Sequence, residues 1–214
     1  MKIKYLLLLF FVNLSLIFTN AFAQDEFLLS DYKDLLGYYN SGGFDNEIND
    51  ISDHYISLLQ NISVTEGKSA IVFDLDETLL SNIKLYERNT EWYDTTWSNW
   101  VKGLNSFAMP TKKIYDFAKE KGFKIILITG SPDTLEEYIK ENLKRNGYDG
   151  YDTLICRPPQ FYTTTALEYK SHFRKLFSES GLTIEANCGD QYSDMGGGYS
   201  GIFMRIPNYI YYIK

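Results

Sequence analysis

A chain of 214 residues, 44% hydrophobic and 23% charged, holds enough apolar material for one globular domain with a real core. Its formal charge of −7 makes it a poor partner for polyanions, which argues against nucleic acid as a standing ligand. A small phosphorylated substrate met through one local positive site is compatible with that balance.

The first 23 residues differ in character from the rest. Lys2 and Lys4 precede an apolar run from Tyr5 to Phe18, and Ala21-Phe22-Ala23 sets small residues at the two positions a signal peptidase reads. Residues 1–23 are therefore expected to be a cleaved secretory signal, which makes the protein secreted or periplasmic, with no stable membrane association after cleavage. A retained anchor is the weaker reading, because Asn13 and Ser15 interrupt a run already short for a full span. Cleavage removes two Lys and no acid, and takes the formal charge from −7 to −9. From Gln24 to about Asn61 apolar residues recur at helical spacing, with Phe27, Leu28, Tyr32, Leu35 and Leu36 in one group and Ile48, Ile51, Tyr55, Leu58 and Leu59 in another. Gly42-Gly43 divides two helices, which residues 24–65 are expected to pack on the outside of the core. Asn61-Ile62-Ser63 accepts a glycan only in a eukaryotic host.

The apolar run Ala70 to Phe73 then ends abruptly at Asp74 and Asp76. Such a run reads as a strand buried on both faces of a parallel sheet, and in open α/β sheets ligands bind at the carboxyl ends of strands. The plainer alternative is that Asp76 caps a helix and Asp74 starts a turn, a task one Asp would fulfil. An aromatic stretch follows from Tyr86 to Phe107, with Trp92, Tyr93, Trp97 and Trp100, and reads as a helical insertion over the site at about residues 82–109. Trp97 and Trp100 share a helical face. These rings either form the core of a small cap or wall a substrate pocket and stack on a planar leaving group.

Met109-Pro110-Thr111 opens a helix to about Lys121, Gly122 ends it, and Phe123 to Ile128 is the second buried strand. That strand stops at Thr129-Gly130-Ser131-Pro132-Asp133, with Pro132 in the first turn of a helix that runs to Asn146-Gly147. Thr153 to Cys156 is a third strand. A helix from about Thr165 to Ser178 carries Lys170, a fourth strand runs from Thr183 to Asn187 into Gly189-Asp190-Gln191-Tyr192-Ser193-Asp194, and Gly201 to Arg205 is a fifth. Alternation of strands and helices predicts an α/β fold: a central parallel sheet flanked by helices.

Asp74 and Asp76, Thr129, and Asp190 and Asp194 thus end three strands at one sheet edge. Up to four carboxylates there call for a hard divalent cation, and oxygen-only donors suit Mg²⁺. His54 and His172 stand apart, so no zinc site is formed. A carboxylate beside such a metal can attack phosphorus, and a second one two residues on can move the proton. Thr129 with the backbone N–H groups around Gly130, taken as a helix start, can hold phosphate oxygens, and Lys170 can neutralise the developing charge. A solvated helix lysine is the plainer reading of Lys170.

Together DLDET at Asp74 to Thr78, ITG at Ile128 to Gly130, YKS at Tyr169 to Ser171 and GDQYSD at Gly189 to Asp194 resemble the four motifs of the haloacid dehalogenase (HAD) superfamily. More narrowly, the chain is similar to the secreted acid phosphatase branch, subfamily IIIB. The plant acid phosphatases and vegetative storage proteins resemble it most, through LLSN at Leu79 to Asn82, the Trp97 and Trp100 pair, and the ending IPNYIYYI. This resemblance implies a Rossmann-like HAD fold with the first strand central, the second and third on one side and the fourth and fifth on the other. In that order Cys156 and Cys188 lie too far apart to join, as two buried thiols. The resemblance also implies Asp74 as nucleophile and metal ligand, Asp76 as general acid/base and backbone-carbonyl ligand, Thr129 and Lys170 as phosphate binders, and Asp190 and Asp194 completing the Mg²⁺ shell. Gly130, Trp97 and Trp100 join the expected substrate contacts. Ser131 stands where many relatives carry Arg, and Tyr192 replaces a common Trp. The implied activity is an acid-optimal, Mg²⁺-dependent phosphomonoesterase acting on small substrates through an aspartyl-phosphate. A storage or binding protein of the same fold and a phosphotransferase to alcohols are the rivals, and assembly into a homo-oligomer stays open.

Overall fold

The structure, a computed structural model, describes residues 32–88 and 94–213. The expected signal segment, the start of the first helix, and Trp92 and Tyr93 lie outside the described residues. Two compact units divide at Phe44 and Asp45. In the described part of the first, residues 32–40 are helical and the Tyr39 ring stacks on Phe44 at 4.1 Å. Helix α1 (Gly43–Gln60) opens at the boundary, after Gly42 in the left-handed region (φ 80°). In the second unit α1 buries Ile48 and Leu59 and donates from Tyr55 Oη to the Arg205 carbonyl at 3.0 Å.

The second unit is built on five parallel strands: β1 (Ser69–Phe73), β4 (Lys124–Pro132), β5 (Thr153–Arg157), β6 (Thr183–Gly189) and β7 (Ile202–Arg205). Their order is β5-β4-β1-β6-β7, with β1 central, as the motif resemblance implied. Every residue of β1 is buried, which explains why it reads as an unbroken apolar run. Its alternate side chains feed two cores. Ala70 and Val72 join Ile126, Ile128, Ile184 and Tyr169 on the face covered by helix α6 (Ala166–Glu179). Phe73 packs on Tyr115 of helix α4 (Lys112–Glu120), with ring centroids 5.8 Å apart. Cys156 on β5 and Cys188 on β6 are free and buried, three strand spacings or about 14 Å apart across the sheet.

A small second sheet marks the insertion after β1. Strands β2 (Leu80–Ser81) and β3 (Phe107–Ala108) pair antiparallel and close its base, while helices α2 (Ile83–Arg88) and α3 (Asp94–Lys102) lie between them in sequence.

One boundary departs from expectation. Strand β4 does not stop at Ile128 but continues to Pro132, which pairs with Arg157 after a register irregularity, and a 3₁₀ turn (Asp133–Leu135) precedes helix α5 (Glu136–Arg145). The cause is local: the proline ring drives Ser131 out of the helical region, and Pro132 itself is extended (φ −66°, ψ 152°). Gly130 therefore lies in extended chain, and no helix starts there.

Candidate active site

Asp74 stands one residue beyond β1, where its N–H continues the ladder to the Cys188 carbonyl at 2.9 Å. The chain then folds back tightly. The Leu75 carbonyl accepts from the N–H groups of Leu79 and Leu80, at 2.9 and 2.8 Å, and Glu77 takes a left-handed conformation (φ 54°) that is strained for a residue with a side chain. This turn returns the Thr78 hydroxyl to Asp74 Oδ2 at 3.1 Å and to Asp190 Oδ1 at 3.4 Å.

Asp74, Asp190 and Asp194 each offer a carboxylate oxygen within 4.8 Å of the others, and all three residues are buried. At an effective dielectric near 20, each pair of full charges at that distance repels by about 3.5 kcal/mol, so three pairs approach the whole stability of a typical domain. Lys170 answers part of this. Its Nζ donates to Asp74 Oδ1 at 2.5 Å and to Asp194 Oδ1 at 2.6 Å from a position itself 5% exposed. Burial pulls the Lys170 pKa down, but the carboxylates of Asp194 and Asp74 outweigh it and hold the group above its ordinary range. Conversely, burial raises Asp74, and the Lys170 charge only partly offsets it; Asp190 rises for the same reason, with Asp74 as its next cause. One ammonium for three carboxylates leaves a charge deficit. A compact, oxygen-only donor set of this kind fits a hard divalent cation.

Asp76 lies beside this cluster on a different set of partners. It accepts from Asn82 Nδ2 at 3.3 Å on one oxygen, and from the Thr129 hydroxyl at 3.2 Å and the Ser131 hydroxyl at 3.4 Å on the other. Burial raises its pKa above the usual carboxylate range, against the lowering effect of Lys170 and these donors. Trp97 Nε1 donates to the Ser131 hydroxyl at 3.2 Å, so helix α3 of the insertion is linked to Asp76 through a single residue. Asn82 is a second link. Its Oδ1 accepts from Trp100 Nε1 at 2.9 Å and from Ser106 Oγ at 2.6 Å while its N–H donates to Glu77 Oε1 at 2.6 Å.

The other flank is built from the segment after β7. Asn208 Oδ1 accepts from the N–H groups of Ile210 and Tyr211, at 2.8 and 3.3 Å, which leaves its Nδ2 to donate to Asp190 Oδ2 at 2.6 Å. Gln191 Nε2 donates to the same Asp190 oxygen at 2.6 Å, and Tyr211 Oη donates to Glu77 Oε2 at 2.9 Å. The rings of Tyr86 and Tyr211 stack at 5.9 Å. A cavity of about 670 Å³ opens over the acids, its wall including Tyr86, Trp97, Gly130, Arg157 and Tyr212.

The expected site residues therefore fall into three groups. Asp74, Asp76, Asp190, Asp194, Lys170, Gly130 and Trp97 all line this one cavity. Thr129 sits a layer below, fully buried, its hydroxyl turned to Asp76 and not to the cavity. Trp100 is a correction: it is 6% exposed, its indole N–H is bound to Asn82, and it is absent from the cavity wall. The two residues share a face of α3 but split their roles, because Trp97 reaches the opening while Trp100, one turn on, is buried against Asn82. Thr78, Asn82, Gln191 and Asn208 escaped sequence reading as site residues. Their signal was membership of the quoted stretches DLDET, LLSN, GDQYSD and IPNYIYYI.

Comparison with known proteins accords with this geometry. The family model for the HAD superfamily, subfamily IIIB (Acid phosphatase), matches residues 21–214. Acid phosphatase 1 of Solanum lycopersicum is 30% identical over 203 residues, covering 91% of this chain and 80% of its own length. The Stem 28 kDa glycoprotein of Glycine max is 35% identical over 155 residues, 69% of this chain and 61% of its own. Vegetative storage protein 1 of Arabidopsis thaliana is 32% identical over 148 residues, 66% of this chain and 54% of its own. Thus the chain spans between half and two-thirds of the length of these last two relatives. A class C acid phosphatase from Bacillus anthracis superposes with a TM-score of 0.68 at 20% identity over 83% of both chains, a likeness of fold alone. With a family model covering nearly all of the sequence and the tomato relative matching along most of both chains, the protein belongs to the HAD superfamily, subfamily IIIB, the acid phosphatase family of enzymes.

Proposed function

We propose that the protein is a secreted or periplasmic, Mg²⁺-dependent phosphatase that hydrolyses small phosphomonoesters through an aspartyl-phosphate on Asp74. The observation that carries this reading is the buried Asp74, Asp190 and Asp194 cluster, with Lys170 as its one direct cation among the described residues, at the base of a cavity of about 670 Å³. The carboxylates of Asp74, Asp190 and Asp194, with the backbone carbonyl of Asp76, would hold Mg²⁺. When bound, the ion supplies positive charge that keeps Asp74 ionised and draws in a phosphate oxygen.

In the first step a carboxylate oxygen of Asp74 attacks phosphorus, the bond to the leaving oxygen breaks, and Asp76 gives that oxygen its proton. In the second, water attacks the phosphoryl group on Asp74, Asp76 takes the proton of that water, and phosphate leaves with Asp74 restored. Burial raises the Asp76 pKa and so favours its protonated form, and Asn82, Thr129 and Ser131 keep it oriented. Thr129 acts here by positioning Asp76. Lys170 holds Asp74 and offsets charge on the phosphoryl oxygens, while the exposed backbone of Gly130 faces the substrate. Trp97 offers a ring to the leaving group, with its N–H fixed on Ser131.

The storage reading is favoured by the likeness to vegetative storage proteins; against it, the proposed nucleophile Asp74 keeps Thr78 and Lys170 as partners. The test is phosphate release by protein lacking residues 1–23 from a panel of nucleotides, sugar phosphates and aryl phosphates, with Mg²⁺ and with EDTA. Release from several monoesters that EDTA abolishes is expected; no release from any, or equal release in EDTA, contradicts the proposal.

A further inference from the structure

Arg174 is a fully buried charged side chain, 0% exposed, that the proposed chemistry does not use. It lies one helical turn after Lys170 on α6, so both project from the same helical face. Its guanidinium makes no ion pair with any carboxylate among the described residues. Instead Nη1 donates to the Asp194 carbonyl at 2.5 Å, Nη2 to the Gly196 carbonyl, and Nε to the Gly198 carbonyl at 3.2 Å. Full desolvation of a guanidinium against neutral carbonyls is costly, and its planar fork is the one side chain that reaches three acceptors at fixed spacing.

The segment held in this way is the turn that follows Asp194. Gly197 and Gly198 both adopt positive φ, at 80° and 88°, and a Cβ on Gly197 would lie 2.8 Å from Ser171 Cβ, so the turn is pressed directly on α6. Asn187 Nδ2 donates to the same Asp194 carbonyl at 2.5 Å. Asp194 is therefore gripped twice from one helix, at its carboxylate by Lys170 and at its carbonyl by Arg174. Its other oxygen accepts from the Gln191 N–H at 2.8 Å, which carries the restraint to the residue beside Asp190.

We infer that Arg174 is a positioning residue for the proposed metal site: it locks the 194–198 turn onto α6, fixes Asp194 and through it Asp190, and places a second buried positive charge beneath the carboxylates. The inference rests on the metal reading above. Mg²⁺ is titrated calorimetrically into metal-free wild type, Arg174→Lys and Gly197→Ala, with Ile48→Val as a core variant on α1. Gly197→Ala leaves the guanidinium intact but lifts the turn. Arg174→Lys and Gly197→Ala should both bind Mg²⁺ about 10- to 100-fold more weakly, with part of the lost kcat recovered at high Mg²⁺, while Ile48→Val keeps wild-type affinity. A folded Arg174→Lys with lowered Tm but wild-type affinity overturns the inference and leaves only a stabilising role. If that variant does not fold, wild-type affinity in Gly197→Ala overturns it equally. Absence of Mg²⁺ binding by the wild type removes the metal reading and this inference together.

Discussion

Glu77 is 2% exposed and takes three hydrogen bonds, from the Asn82 N–H, Asn82 Nδ2 and Tyr211 Oη, yet burial, with Asp76 as the next cause, pushes its pKa up to about 8. Desolvation of a full charge here outweighs three donors. The consequence for stability follows from proton linkage. A carboxyl with a folded pKa near 8 and an unfolded value near 4.5 binds more proton in the folded state between those limits, so stability falls as pH rises through that window, by up to about 1.4 kcal/mol per unit. The metal-free protein should therefore lose Tm between pH 5 and 8, and Glu77→Gln should flatten that slope. Asp74, Asp76 and Asp190 are raised in the same direction, so some slope will remain. An unchanged slope in Glu77→Gln would mean that Glu77 is already ionised in the folded protein.

At the scale of the element, helix α3 carries two tryptophans with separate tasks. Trp97 is half-buried at the cavity and tied to Ser131, whereas Trp100 is sealed in the insertion's core on Asn82. Trp97→Ala is expected to raise KM several-fold for aryl phosphates and less for alkyl phosphates, with a small change in Tm. Trp100→Ala should instead cost about 3–5 kcal/mol of stability. Equal KM loss for both substrate classes in Trp97→Ala would reduce that ring to packing. The same helix shows where sequence reading ends. Periodicity puts both rings on one face, but which of them meets the cavity depends on how the insertion docks over β1 and β4. Strand ends were more legible. Parallel strands buried on both faces are apolar runs, so the polar residue that ends each run is conspicuous, and Asp74 and Asp190 were found in this way. Lys170 was not, since nothing local separates it from other helix lysines; only its place among ordered motifs singled it out. Asn82 and Asn208 act through partners 24 and 18 residues away, Ser106 and Asp190, and no local pattern records such pairings. Strand β4 overran its expected end because Pro132 prolongs extended chain just where a helix start was expected.

At the scale of the molecule, the sheet order converts separated motifs into one site. With β1 between β4 and β6, the chain at Asp74 and Asp76 is flanked by Ser131 on one side and Asp190 on the other, while α6 crosses beneath with Lys170 and Arg174. Segments far apart in sequence, from the insertion with Trp97 to the stretch after β7 with Tyr211, then wall the cavity. The wall combines strand residues, Gly130 and Arg157, with residues of the insertion and of the stretch after β7. The central claim is that Asp74 takes up the phosphoryl group with Mg²⁺ at its side. Its most direct test is the rate of p-nitrophenyl phosphate hydrolysis by wild type and Asp74→Asn at saturating Mg²⁺, after confirming equal folding. The account predicts a loss of roughly 10⁴-fold or more in kcat for Asp74→Asn. Retention of wild-type turnover by Asp74→Asn would contradict it.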